Sequence, residues 1–89
     1  MLKIKEETIY DIRKNIIIIL NGNDGFKLED NVSTTLFKEL VQKERCSESE
    51  LIRLTLSNFL IEEVQLEEAR NELHNFINQL IEENILEVS

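Results

Sequence analysis

The chain has no proline and no tryptophan, and only two glycines, one cysteine and one histidine among its 89 residues. Each shortage excludes something. A single cysteine, Cys46, rules out an intrachain disulfide, whereas a small secreted domain normally carries several. The N-terminus has no apolar run followed by small residues, so no signal peptide is expected, and the protein reads as cytoplasmic. One Cys and one His cannot supply the three or four converging ligands of a zinc site, so no metal or other cofactor is expected. The glycines, Gly22 and Gly25, belong to a single turn and leave no Gly-rich phosphate loop. The longest unbroken apolar run, Ile16–Leu20, is far too short to cross a membrane.

Cations are also scarce, with 10 Lys and Arg against 18 Asp and Glu and a net charge of −8. Residues 1–60 are nearly balanced, whereas residues 61–89 carry eight Glu against Arg70 alone, a net of −7. Nucleic-acid binding needs Lys and Arg to displace counterions from phosphates, so a duplex is not an expected partner. An anionic membrane is disfavoured in the same way. A basic protein surface or peptide is the natural complement. The nucleophile–base candidates are Cys46, His74 and scattered hydroxyls, with no spacing that marks a dyad. The chain is therefore expected not to be an enzyme.

What is present is periodicity. Residues 65–84 place Leu66, Ala69, Leu73, Phe76, Ile77, Leu80 and Ile81 on one helical stripe, which must supply about half the core of so short a chain. Upstream, residues 2–12 read as one strand with Leu2, Ile4, Thr8, Tyr10 and Ile12 in one parity, although Ile9 breaks the alternation. Ile16–Leu20, apolar in both parities, reads as a central strand covered on both faces. Asn21-Gly22-Asn23-Asp24-Gly25 is a hairpin signal in which both glycines supply positive φ. Phe26–Glu29 returns as a third strand, with Phe26 and Leu28 facing one way and Lys27 and Glu29 the other.

Asp30-Asn31 offers an N-cap for a helix running to about Lys43, with Val32, Leu36, Phe37, Leu40 and Val41 as its stripe. Ser47 and Glu50 fit a capping box for a second helix that extends through Phe59 and Leu60. Residues 61–64 connect to the last helix, and Asn84 suits its left-handed close. Ile85, Leu86 and Val88 form an apolar tail that pairs with the sheet or packs under it. The expectation is one α+β domain over 1–89 with winged-helix-like layers: a three-stranded antiparallel β-meander in 1–30, followed by a layer of three helices in 31–89.

The hairpin Ile16–Glu29, the run Leu28–Leu40, the segment Ser47–Ile52 with Phe59, and the close Ala69–Leu86 together resemble the PqqD family of peptide chaperones. These are also called RiPP recognition elements, after the ribosomally made, modified peptides whose precursors they bind. The similarity is a pattern of apolar positions covering nearly the whole chain. This chain has Asn84 where members often have Gly, Phe37 where they have Trp, and Arg45-Cys46 where Asp-Gly is common.

The resemblance implies that the leader segment of a precursor peptide adds as a strand beside the third strand, in a cleft walled by the last helix. It implies delivery of the precursor to a modifying enzyme, often a radical S-adenosylmethionine enzyme. Carried onto this sequence, the strand wall is Gly25, Phe26, Lys27, Leu28 and Glu29. The helix wall is Arg70, Leu73, His74, Ile77 and Ile81. The residues add support of their own, because the last strand of a meander has an unpaired edge that can bind an extended peptide. Only Lys27 protects that edge with a charge. Two other readings stay open. One is a winged-helix DNA-binding regulator, which the acidic last helix does not favour. The other is a scaffold that self-associates through the free edge as a homodimer.

Overall fold

The computed structural model describes all 89 residues. They form β1 (Leu2–Ile4), β2 (Ile9–Ile12), β3 (Ile17–Asn21), β4 (Asp24–Leu28), α1 (Asn31–Lys43), α2 (Glu48–Leu56), α3 (Glu63–Glu82) and β5 (Leu86–Val88). Strands β2, β3 and β4 make a three-stranded antiparallel sheet in that order, and the three helices cover one of its faces, giving the expected α+β architecture. Strands β1 and β5 form a separate antiparallel pair.

Residues 2–12 are therefore two strands rather than one. The chain turns at Glu6-Glu7, where the Thr8 amide donates to the Lys5 carbonyl at 3.0 Å. The alternation continues across this turn only because its length preserves parity. The apolar tail pairs with β1, Leu2 opposite Val88 and Ile4 opposite Leu86, and not with the main sheet. The division at residue 30 is thus not a structural one, since the C-terminal strand returns to the N-terminus.

The helices lie on one side of the sheet only, and this decides which residues are buried. Ile17 and Ile19 are fully buried on the inner face, whereas Leu20 on the outer face is 47% exposed. Strand β3 is central but is not covered on both faces. The inner residues join Leu36, Phe37 and Leu40 of α1, Leu51 and Leu56 of α2, and Leu73, Ile77 and Leu80 of α3 in one core. The Tyr10 ring meets Phe37 edge-on, with ring centres 5.3 Å apart. Each such apolar side chain contributes roughly 1.5–3 kcal/mol by leaving water.

The caps follow side-chain chemistry. Asp30 accepts from the Ser33 amide at 2.9 Å and starts α1. Ser47 accepts from the Glu50 amide at 3.2 Å, but Glu50 pairs with Lys43 at 3.6 Å instead of completing the capping box. Helix α2 stops at Leu56, short of Phe59 and Leu60. Ser57 Oγ and Asn58 Nδ2 both donate to the Leu54 carbonyl, at 2.6 and 2.9 Å, and such local bonds compete with a continued helix. Helix α3 begins at Glu63, two residues earlier than its stripe implies. Asn84 closes it with φ 61°.

Candidate functional site

The hairpin decides which backbone groups of β4 are free. Asn21 pairs with Asp24 across the loop Gly22-Asn23. Gly22 has φ 62°, as a two-residue loop with glycine first requires. The closing bond of such a turn runs from the amide of its fourth residue to the carbonyl of its first, so the Asp24 amide points at β3. Antiparallel amides alternate, so Phe26 and Leu28 also donate toward β3, and Gly25 and Lys27 direct their amides outward. The other hairpin agrees. The Arg13 amide donates to the Ile16 carbonyl at 2.8 Å, which assigns Ile16, Ile18 and Leu20 to β2 and leaves Ile17, Ile19 and Asn21 for β4. Because β4 ends the sheet, the outward groups of Gly25 and Lys27 have no strand partner.

Gly25 is a strand residue and not a turn residue with positive φ. A Cβ placed on it would meet only Leu20 Cδ2, at 3.5 Å. Phe26 is half-buried, Leu28 is buried, and Lys27 and Glu29 are exposed, as the alternation implies. Glu29 lies just beyond β4 and pairs with Lys27 at 3.3 Å.

Two contacts tie the segments on either side of β4 to α3. At the hairpin end, Asn21 Nδ2 donates to the Glu83 carbonyl at 2.7 Å. At the other end, Asp30 and Ser33 share a cavity of about 230 Å³ with Ala69, Glu72, Leu73 and Phe76. Between these ties run about 17 Å of helix from Glu72 to Glu83 and about 20 Å of extended chain from Asp24 through β4 to Asp30. The helix flank along this stretch is Glu72, Phe76, Gln79 and Glu83, at helical steps of four, three and four. It combines one half-buried aromatic ring with two carboxylates.

Of the expected helix wall, Leu73 lines that cavity, whereas Arg70, His74, Ile77 and Ile81 do not. Ile77 is wholly buried and Leu73 nearly so, and both belong to the core. Ile81 is half-buried against that core. Arg70 lines a different cavity, shared with Ile52, Arg53 and Leu56 of α2. His74 Nδ1 lies 2.7 Å from Glu48 Oε1 at the start of α2, and its Nε2 lies 3.2 Å from Asn78 Nδ2. A neutral ring with its proton on Nδ1 satisfies both contacts. Arg70 and His74 thus face α2, on the opposite flank of α3 from Glu72, Phe76 and Glu83. The period of the stripe gave the core face, but it carries no information on which flank the strand approaches. The 4-3-4 spacing from Glu72 was visible, and the side was not.

Cys46 is 1% exposed. Its amide and carbonyl bridge to Leu2 at 3.1 and 2.7 Å. Burial, followed by the nearby Glu50 carboxylate, pushes its thiol up from the ordinary value, the reverse of the thiolate stabilisation a helix start suggests. No three His, Cys, Asp or Glu residues converge as metal ligands, and no helix is long and apolar enough to cross a membrane.

No protein-family model matches the chain, and no curated protein does. Among solved structures, TbiB1 in complex with the TbiA(beta) leader peptide is similar to it at TM-score 0.78 and 17% identity, covering 98% of this chain and 96% of TbiB1. This chain therefore has the fold of a protein solved with a leader peptide bound.

Proposed function

We propose that this protein is a non-catalytic adaptor of the RiPP recognition element type, which binds the leader of a precursor peptide as a fourth strand on β4. The observation that carries the reading is the free edge of β4 in a fold similar to that of a protein solved with a leader peptide. The outward groups of Gly25 and Lys27 supply backbone pairing, which gives affinity without sequence preference. Phe76 gives the cleft an apolar contact, and Glu72 and Glu83 favour a leader with cationic residues at those positions. The bound precursor is presented to a modifying enzyme, which the resemblance of the sequence assigns to the radical S-adenosylmethionine class.

The test is titration of the labelled protein with the leader of a precursor encoded beside it. The amides of Gly25 and Lys27 should become protected from exchange. Glu72→Lys and Phe76→Ser should weaken binding several-fold, with His74→Ala close to the parent. Binding that depends on His74 and ignores Glu72 and Phe76 would sink this cleft.

A further inference from the structure

Arg53 and Arg70 stand apart from the other two arginines. Arg13 pairs with Asp11 at 2.9 Å and Arg45 donates to Ser89 at 2.6 Å, whereas neither the Arg53 nor the Arg70 side chain has any partner. The carboxylates nearest them on α2 are engaged elsewhere, Glu48 with His74 and Glu50 with Lys43. Arg70 is also the sole cation among the eight Glu of residues 61–89. The two guanidinium groups flank a cavity of about 580 Å³ between α2 and α3, floored by Ile52, Leu56 and Leu66. In a molecule of net charge −8, this is an apolar groove with a positive rim.

The matching surface lies on the same chain. Leu60 and Val64 are the two most exposed large apolar side chains in the protein, at 106% and 86%. They flank Glu62 and Glu63, both exposed and unpaired. This is an apolar knob with a negative rim, three residues beyond Ser57 at the edge of the groove. A knob beside its own complement is the arrangement that a two-fold axis satisfies twice.

We propose that the α2–α3 corner pairs with a second copy of this chain, each copy seating Leu60 and Val64 in the other's groove with Glu62 and Glu63 against Arg53 and Arg70. The contact is small, so the dimer is weak and forms at high concentration. Its groove faces α2 and uses none of the residues of the proposed leader site, so either can fail without the other.

The experiment is sedimentation of the intact chain from micromolar to millimolar concentration. The average mass should rise from monomer toward dimer and fall again with added salt, since exposed pairs are screened. Leu60→Ser with Val64→Ser, and Arg53→Glu with Arg70→Glu, should each give monomers with melting temperatures near the parent. Glu62→Lys with Glu63→Lys should do the same. A mixture of the double-Glu and double-Lys variants restores attraction at both contacts and should yield a heterodimer from two monomeric proteins. Monomers throughout, or a mixture that fails to pair, would overturn the proposal. So would a dimer abolished by Lys27→Pro but kept by the arginine variant, which would mean edge-to-edge pairing of β4.

Discussion

Two glycines three positions apart do different work. Gly22 holds φ 62°, a backbone that side chains rarely adopt, and Gly25 sits in an extended strand with room for a methyl group. Gly22→Ala should lower stability by roughly 1 kcal/mol, and Gly25→Ala should stay within about 0.5 kcal/mol of the parent. Paired urea melts would show both, and equal losses would contradict the turn assignment. Asp30 is the other single residue with a measurable signature. Partial burial pushes its carboxyl up, but hydrogen bonds from Ser33 and the Val32 backbone outweigh that and hold it below the ordinary value. The depressed folded value means that its contribution is complete above about pH 4 and is lost as pH falls through the folded pKa. Asp30→Ala should cost about 1 kcal/mol at neutral pH. In acid melts the difference from the parent should shrink, and a gap that stays constant to low pH would show that the charge is not involved.

Proline substitutions in β4 separate the two roles of one element. Phe26→Pro removes an amide that the sheet uses, and should lower the melting temperature. Lys27→Pro removes an outward amide, and should leave the melting temperature nearly unchanged while weakening leader binding by about 1 kcal/mol. Calorimetric melts and titrations on the same two proteins decide it, and the reverse pattern would invert the register. Elements whose signals are local were legible in the sequence, such as α1 from Asp30 and its stripe, or the hairpin from Asn21-Gly22. Elements defined by distant partners were not. Nothing in Leu2–Ile12 says that its first half pairs with Leu86–Val88 and its second with β3. The apolar Phe59 and Leu60 continue the pattern of α2, and side-chain bonds to the Leu54 carbonyl end the helix before them. The free edge of β4 could be read from sequence because a meander has an edge. The rotation of α3 relative to that edge could not, because it is set by how three helices pack.

At the scale of the whole molecule, the first and last strands hold each other. Leu2 and Leu86 are both buried at this seam, and Cys46 joins it through its bridge to Leu2. Leu86→Ala should cost about 2–5 kcal/mol, out of a total of roughly 5–15 kcal/mol for a domain. The loss should appear in labelling as well as in melts, because the shielded Cys46 thiol should react with a thiol reagent only when the seam opens. A variant that melts early with Cys46 still unreactive would show that the thiol is guarded by something else. The seam also has a direction. Met1 and Ser89 exchange backbone bonds, at 2.8 Å from the Ser89 amide to the Met1 carbonyl and 3.0 Å from the Met1 ammonium to the Ser89 carbonyl. Both ends of the chain therefore leave from the same end of the β1–β5 pair, and tension between them acts along the hydrogen bonds, perpendicular to the strands. Under such a load the pairs Leu2–Val88, Lys3–Glu87 and Ile4–Leu86 carry the force one after another, not together. Stretched by its ends, the protein should peel like a zip at low force, with the three-stranded sheet and the helices still intact when the clasp has gone.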